Sequence, residues 1–165
     1  MEPLAKSNGQ PLSQHVEECL NVARILIDQL PLLDAEKRRL GNDVALGLAF
    51  HDTGKAATGF QKVMLGEAEN WGGKRHEILS ASFASSIPTL NEAVIFAILT
   101  HHKSIPNSEL REEKRALDFD SLPLDGKTEQ YLSWKRMKSE WLDNYTSFRE
   151  SWEKICKKIK REDLI

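Results

Sequence analysis

His51 and Asp52 are adjacent residues that offer two kinds of metal-binding atom. Neutral imidazole suits Mn, Fe, Co, Ni and Zn, whereas carboxylate suits harder ions and can bridge two of them. The pair ends a helix predicted by apolar residues that recur every four positions: Leu40, Val44 and Leu48. Gly54 follows as a natural helix terminator. The sequence therefore predicts a nitrogen ligand and an oxygen ligand at the core-facing end of one helix.

The other histidines decide whether this pair belongs to a larger site. The chain has five, each at a predicted helix end or loop–helix junction: His15, His51, His76, His101 and His102. The last two end a very apolar stretch, where a buried polar group without a partner costs about 1–3 kcal/mol. If these helix ends converge on one pocket, all five imidazoles lie near Asp52. The alternative is five separate surface or core histidines, and spacing alone leaves both interpretations open.

The elements that must position these residues are helices. Sustained period-2 alternation is absent, and 3-and-4 spacing of apolar residues is frequent, which predicts an all-α chain. The near-continuous apolar run before His101 predicts that its helix is the most buried. The predicted helices run from Ser13 as N-cap to Pro31, from Asp34 as N-cap to Asp52, over 56–66, from His76 to Pro88, over 93–102 with Asn91 as N-cap, and over about 127–160 with a break near Asn144.

The C-terminal third contains an irregular stretch over 104–126 and then aromatic-rich helix. Trp134, Trp141 and Phe148 are spaced by seven, which is typical of a stripe that covers the core. A platform on which bases stack is the alternative. The basic residues 154–161 are most simply a solvated face, with phosphate contact as the alternative.

Length and composition limit the class of protein. A chain of 165 residues predicts one domain over 1–165 with a single core. The net charge of −2 gives no global reason to expect nucleic acid. The apolar run Ala93–Leu99 is far shorter than the ~20 residues that span a bilayer. Cys19 and Cys156 form no Cys-x-x-Cys pair and are expected to be reduced thiols, which predicts a cytoplasmic protein.

The order of these residues resembles the HD-domain superfamily of metal-dependent phosphohydrolases, and more narrowly the HD nuclease domain of CRISPR-associated Cas3. A lone His-Asp pair is a weak signal, but this ordered set is specific. The match covers residues 5 to about 103 and consists of Ala5-Lys6-Ser7, Leu12-Ser13-Gln14-His15, His51-Asp52-Thr53-Gly54-Lys55-Ala56, Phe60-Gln61, His76-Glu77-Ile78-Leu79-Ser80-Ala81 and Thr100-His101-His102.

The resemblance implies an all-α HD-domain helical bundle with its metal site at converging helix ends. It implies one metal bound by His15, His51 and Asp52, and a second bound by His76, His101 and His102, with Asp52 as the bridge. Lys55 matches a lysine that lies near the metals and stabilises phosphoryl charge. The implied cofactors are two divalent transition metal ions, Mn, Fe, Co or Ni, with Mg as a further option. Such a pair clamps both reacting oxygens of a phosphodiester and activates water.

The chain departs from the Cas3 pattern at the last aspartate ligand, which in that family lies on a later apolar helix. The later aspartates have no such setting: Asp118, Asp120, Asp125, Asp143 and Asp163. We therefore expect the domain to be truncated or excised at its C-terminus, with the first metal site incomplete. The apolar surface left by a missing helix favours self-association. The helicase that follows the HD domain in full-length Cas3 has no motif here.

Three functions are compatible with these residues. The first is a metal-dependent nuclease that degrades single-stranded DNA in type I CRISPR interference, with a Cascade-type complex and a helicase domain as partners. Its substrate would be drawn to the metals and to Lys55, Lys74, Arg75 and Lys103. The second is an HD phosphohydrolase acting on nucleotides or cyclic nucleotides, which needs a closed pocket. The third is a catalytically incomplete domain that binds metal or a partner without turnover.

Overall fold

The chain folds as a helical bundle. Its structure, a computed structural model, describes residues 2–72, 74–88, 90–102 and 129–165, with the side chains of the last segment described from residue 135 onward. Within these residues all regular structure is helical, apart from one isolated β-bridge between Leu4 and Pro11. The all-α prediction is confirmed, whereas the predicted irregular stretch 104–126 lies outside the described residues.

Seven α-helices and two short 3-10 helices make up the described part. The helices are α1 (Leu12–Asp28), α2 (Asp34–Phe50), α3 (Thr58–Met64), α4 (His76–Ser85), α5 (Glu92–Thr100), α6 (Glu129–Asp143) and α7 (Tyr145–Ile159), with 3-10 turns at Thr53–Ala56 and Glu162–Leu164. The predicted break near Asn144 is confirmed. The Asn91 cap is also confirmed, because its Oδ1 accepts from the Ala93 N–H at 2.9 Å.

Helix α1 begins two residues earlier than predicted, with Pro11 as its N-cap, so the prediction of Ser13 as the N-cap was wrong. The first free N–H groups of the helix are satisfied by the N-terminal segment instead. The Leu12 N–H donates to the Pro3 carbonyl at 2.8 Å, and the Ser13 N–H donates to Glu2 Oε1 at 3.0 Å. Glu2 Oε1 also accepts from Ser151 Oγ in α7 at 2.7 Å. A distant carboxylate thus replaces the local cap and ties three segments together.

Helix α2 also begins one residue earlier than predicted. Asp34 is its first helical residue rather than its N-cap, which is Leu33. The Leu33 N–H donates to Glu36 Oε2 at 2.9 Å. The side chain of Glu36 thus accepts from the backbone N–H of the N-cap residue, which is one half of a capping box. This half needs no polar side chain at the N-cap.

An aromatic cluster forms the centre of the core. Phe83 of α4 lies 5.3 Å, centroid to centroid, from the rings of Phe50, Trp141 and Trp152, and 5.6 Å from that of Phe148. The C-terminal aromatic side chains thus pack against α4, and they lie in one cluster with Phe50 of α2. The core-stripe prediction is confirmed for Trp141 and Phe148, while the Trp134 side chain lies outside the described residues.

The prediction that α5 is the most buried helix was wrong. In the part of the chain that the structure describes, α5 packs on α2 and α4 through one face, and Phe96 is 51% exposed. Helix α4 is less apolar but more completely enclosed, with its buried residues extending from His76 to Ala84. Hydrophobic composition indicates that a helix has a buried face, but the number of neighbouring elements decides how many faces are buried.

The outer surface carries both charge and exposed apolar side chains. Val22, Ile25 and Leu26 on α1 are each more than half exposed. Self-association through apolar surface stays a prediction, which sedimentation velocity would test. Lys154 and Lys158 are exposed and form ion pairs with carboxylates of Glu2 and Glu17, which favours the solvated-face interpretation. Within the described residues, no helix is long and apolar enough to cross a membrane.

Candidate metal centre

Four helix ends and one 3-10 turn bring the predicted site residues together. His15 lies in the first turn of α1, His51 directly follows α2, His76 begins α4, and His101 directly follows α5. Asp52 lies between α2 and the 3-10 turn, with only 1% of its surface exposed. The structure thus places these side chains around one buried carboxylate, as the sequence analysis expected.

The two oxygens of Asp52 face two different sets of side chains. Oδ2 lies 3.3 Å from His15 Nε2, 3.4 Å from His51 Nε2 and 2.7 Å from Lys55 Nζ. Oδ1 lies 3.1 Å from His76 Nε2 and 3.6 Å from His101 Nε2. The His102 ring lies beside the second set, 4.2 Å from the His101 ring and 5.1 Å from the His76 ring, centroid to centroid. The carboxylate therefore separates the histidines into the two groups that the resemblance implied.

Oxygen acceptors on the far side of the rings orient the imidazoles. His51 Nδ1 donates to the Leu48 carbonyl at 2.7 Å, and His101 Nδ1 donates to the Ile98 carbonyl at 2.6 Å. A carbonyl oxygen only accepts, so Nδ1 carries the proton in both residues. In their neutral forms, both rings therefore direct the Nε2 lone pair toward Asp52. This is the orientation that metal-binding histidines receive from their outer hydrogen bonds.

Charge in the centre is dominated by the Asp52 carboxylate. Burial opposes its ionisation, but the nearby imidazoles of His101, His15 and His76 outweigh burial and hold the pKa of Asp52 far below its usual range. Burial lowers the pKa of His51 to about 4, despite the attraction of Asp52. At neutral pH the centre thus contains a buried anion beside a neutral imidazole whose lone pair faces it.

This arrangement fits a divalent cation. A neutral imidazole lone pair 3.4 Å from a carboxylate oxygen is repulsive unless a positive charge lies between them. Asp52 Oδ1 and His76 Nε2 are both buried without a hydrogen-bond partner among the described residues. Two ligand atoms that each lie about 2.1 Å from one cation are roughly 3.0–3.5 Å apart, and the contacts around Asp52 fall close to that spacing.

Cys19 is a candidate ligand that the sequence analysis missed. Its Sγ lies 3.8 Å from His15 Nε2 and 3.9 Å from His15 Nδ1. The potential ligand atoms of His15, Cys19 and His51 lie within 4.8 Å of one another, as do those of Asp52, His76, His101 and His102. The signal that was available is the four-residue spacing from His15, which places both side chains on one helix face. Burial and the Asp52 carboxylate raise the pKa of the Cys19 thiol.

Gly54 acts by close packing rather than as the predicted helix terminator, because α2 already ends at Phe50. A Cβ at Gly54 would overlap the backbone carbonyl of His76 and lie 3.0 Å from Leu79 Cβ. The Gly54 N–H donates to Ser80 Oγ at 2.8 Å. The missing side chain thus lets the 3-10 turn that follows Asp52 lie directly against α4.

An open cleft of about 530 Å³ gives access to the centre. Residues 5–8 line one side, and the other contributors are Lys55, Phe60, Met64, His76 and His102. Gln61 attaches the N-terminal segment to this wall, because its Nε2 donates to the carbonyls of Leu4 at 3.0 Å and Lys55 at 2.7 Å. A second cavity of similar volume, between α1, α2 and the end of α7, contains none of the five histidines.

The other basic residues expected to attract substrate are engaged elsewhere or lie outside the description. Lys74 Nζ donates to Glu140 Oε1 at 2.8 Å, and Arg75 contacts Glu77 Oε1 at 3.3 Å. Lys103 lies outside the described residues. Lys55 alone among the four borders the Asp52 carboxylate in the part of the chain that the structure describes, which makes it the cation closest to the proposed chemistry.

The described part of the chain places no later aspartate in either group of potential ligands. Asp143, at the end of α6, is exposed, and Asp163 forms an ion pair with Arg161. Asp118, Asp120 and Asp125 lie outside the described residues. The oxygen ligand expected from the C-terminal region is therefore not supplied by the two aspartates that the structure describes.

Comparison with known proteins gives one match. The family model described as "Cas3, HD domain" matches residues 2–162, which is nearly the whole chain. The match extends well past residue 103, where the recognisable motifs stop, and includes α6 and α7. No curated protein and no solved structure matches the chain.

Proposed function

The chain belongs to the family of Cas3 HD domains, and from this premise we propose that it is a nuclease that hydrolyses phosphodiester bonds of single-stranded DNA. Membership indicates a metal-dependent hydrolase of the HD type, with a group of His and Asp side chains that fits a divalent metal. The choice of single-stranded DNA is our inference from the family and from the shape of the site.

The main support for this proposal is that the two oxygens of Asp52 face different imidazoles. One oxygen faces two imidazoles and the other faces two more, within 3.1–3.6 Å. A bridging carboxylate with histidines on both sides is the arrangement that two adjacent cations need. We propose His15, His51 and Asp52 as ligands of one cation, and His76, His101, His102 and Asp52 as ligands of the other.

The bound cations would supply charge neutralisation of the phosphodiester and activation of water near neutral pH. The protein's own part is to hold the ligands in place before substrate arrives. His51 and His101 are oriented by backbone carbonyls at 2.7 and 2.6 Å. Lys55 holds its ammonium 2.7 Å from Asp52 Oδ2 and borders the cleft, where it would stabilise the negative charge of the phosphoryl group.

The shape of the cleft supports a polymer rather than a free nucleotide as substrate. The described residues line the cleft without enclosing it: the N-terminal loop lies on one side and His102 lies on the other. A mononucleotide phosphohydrolase encloses base and sugar in a pocket that buries most of the ligand. An open cleft instead lets a strand pass across the metal centre, with its phosphates toward Lys55 and the cations.

We place this activity in type I CRISPR interference in the cytoplasm, with a helicase domain and a Cascade-type complex as partners. The support is membership of the Cas3 HD family. Of the metals, Mn, Fe, Co and Ni suit the histidine-rich groups best. We expect the domain to cut DNA that a partner has already made single-stranded.

The direct test is cleavage of circular single-stranded DNA with added Mn²⁺. Asp52→Asn keeps the shape of the side chain but removes its charge, and Asp143→Asn is the matched control at an exposed aspartate of α6. We expect the parent and Asp143→Asn to produce linear and then short products. Asp52→Asn should cut at least about 100-fold more slowly, since even outer-shell changes at metal sites cost 10–100-fold.

Three outcomes would contradict the proposal. Equal cutting by Asp52→Asn would mean that the activity does not depend on this centre. Phosphate release from mononucleotides without cutting of the circle would favour the phosphohydrolase. No cutting by folded, metal-loaded parent protein would leave a domain that binds metal without turnover.

A further inference from the structure

Cys19 adjoins the group formed by His15, His51 and Asp52, for which the described residues supply fewer ligands than for the other group. It follows His15 by one helical turn of α1, and its Sγ lies 3.8 Å from His15 Nε2. The same imidazole nitrogen lies 3.3 Å from Asp52 Oδ2, and His51 joins this group on the other side. The thiol and two imidazoles therefore form one group of potential ligands, and Asp52 Oδ2 adjoins both imidazoles.

The spacing is that of ligands of one cation. In a tetrahedral site with a metal–sulfur distance of about 2.3 Å and a metal–nitrogen distance of about 2.1 Å, sulfur and nitrogen are roughly 3.5 Å apart. The Cys19–His15 distance exceeds that value by a few tenths of an ångström. Asp52 is 1% exposed and directs its Oδ2 toward this group, 3.3 Å from His15 Nε2. Its Oδ1 faces the second group and lacks a hydrogen-bond partner among the described residues, which indicates a cation beside this carboxylate.

We propose that Cys19 is the fourth protein ligand of the cation bound by His15, His51 and Asp52. This inference rests on the proposed function, because it assigns one more residue to the same centre. The two later aspartates that the structure describes, Asp143 and Asp163, lie elsewhere, and a thiolate would add a negative charge to this group.

The two metal sites then differ in chemistry. The first has two nitrogens, one oxygen and one sulfur, whereas the second has three nitrogens and one oxygen. Thiolate favours Zn²⁺, Co²⁺ and Fe²⁺ over Mg²⁺ and Mn²⁺. The first site should therefore retain a soft cation when Mn²⁺ occupies the second. On binding, the S–H bond of Cys19 breaks, the sulfur electron pair forms the metal–sulfur bond, the proton goes to solvent, and nothing is oxidised or reduced.

The second cysteine offers a matched comparison within the same chain. Cys156 is fully buried in α7, and burial raises the pKa of its thiol to about 12. It belongs to neither group of potential metal ligands. Cys19 is half-buried and adjoins two imidazoles. A property that depends on Cys19 but not on Cys156 therefore belongs to the metal centre rather than to cysteine in general.

The test is titration of the metal-free protein with Co²⁺, followed by absorption spectroscopy. A cobalt–thiolate bond produces a charge-transfer band in the near ultraviolet, which imidazole and carboxylate ligands do not produce. We expect the band in the parent and in Cys156→Ala, and its complete loss in Cys19→Ala. The visible bands of cobalt in the other site should persist in Cys19→Ala, which shows that the variant is folded and still binds metal.

A second measurement needs no variant. Saturating Zn²⁺ should protect Cys19 of the parent from alkylation, followed residue by residue with mass spectrometry. At a free Zn²⁺ concentration 100-fold above the dissociation constant, the alkylation rate should fall about 100-fold. An unchanged rate with Zn²⁺ bound would overturn the proposal.

The outcomes separate this inference from the function on which it rests. Two bound Co²⁺ ions without a charge-transfer band would remove Cys19 from the ligand set but leave the metal centre and the nuclease proposal intact. A band that survives in Cys19→Ala would assign the thiolate to another residue and overturn the inference. No binding of Co²⁺ by folded parent protein would overturn both.

Discussion

At the scale of single residues, the centre is a buried anion with one oxygen, Oδ1, that has no hydrogen-bond partner among the described residues. Asp52 is almost completely buried, and the ammonium of Lys55 is its one strong cationic contact in the described structure, at 2.7 Å. His51 is neutral at pH 7, because burial lowers its pKa to about 4. A buried polar atom without a partner is unfavourable, and a divalent cation between Oδ1 and the imidazoles that face it would supply that partner.

Lys55 has a role that can be separated from metal binding. In Lys55→Gln, cleavage should fall by about 10²–10³-fold, the cost typical of removing one electrostatic contact to developing charge. Mn²⁺ should bind at least as tightly as before, because the ammonium no longer competes for Asp52 Oδ2. Cleavage rates and Mn²⁺ titration calorimetry measure the two effects.

The control for this variant is Lys62→Gln, an exposed lysine of the nearby helix α3, which should change neither quantity. If Lys55→Gln lost metal affinity and activity in parallel, Lys55 would be a support of the ligands rather than a group that acts on substrate.

At the scale of elements, the centre depends on helix ends that approach closely. The turn after Asp52 packs on the start of α4 through Gly54, whose N–H donates to Ser80 Oγ. On the opposite side, Gln61 joins the N-terminal segment to the same turn. Because each ligand lies at the end of a different element, small shifts between elements change the ligand set directly.

Gly54→Ala tests this close approach. The added methyl group would overlap the His76 carbonyl, so we expect a loss of about 1–3 kcal/mol in the free energy of unfolding. Metal affinity should fall as well, because His76 must move. Urea denaturation and Co²⁺ titration measure the two quantities.

Gly41→Ala in α2 is the matched control, because its Cβ would meet nothing within 4 Å. It should stabilise the protein by about 0.5–1 kcal/mol, the usual gain of alanine over glycine in a helix. Equal urea midpoints for the parent and Gly54→Ala would show that α4 does not constrain this turn.

At the scale of the whole molecule, metal binding and folding are linked. The ligands come from the ends of α1, α2, α4 and α5. The aromatic cluster around Phe83 packs α2 and α4 against α6 and α7, while α1 packs on α2 and α7, and α5 packs on α2 and α4. A cation held by ligands from two or more of these helix ends binds the folded state only. It must therefore raise the stability of the entire bundle.

Removal of metal should lower the melting temperature measurably. At 100 times its dissociation constant, one bound cation contributes about 2.7 kcal/mol, which corresponds to roughly 5–10 °C for a domain of this size. Calorimetric scans with Mn²⁺ and with EDTA measure the shift. Asp52→Asn should show little of it, and an equal shift in that variant would place the stabilising cation elsewhere.

The sequence by itself determined much of this description. Helical periodicity is local, so it predicted the all-α class, the break at Asn144 and the Asn91 cap, and it placed His51 and Asp52 at a helix end. The ordered histidines indicated the family, which the family model confirms, and they supplied the ligands that we propose for the centre. These inferences need only spacing along one chain segment.

The tertiary structure decided what depends on distance between segments. It divided the two Asp52 oxygens between two sets of imidazoles, paired Lys74 with Glu140, and enclosed α4 more fully than α5. It also showed Cys19 beside His15 and His51. Periodicity tells which residues share a face of one helix, but not which faces of different helices meet. A site built from separate helix ends is therefore visible in the sequence only as its parts.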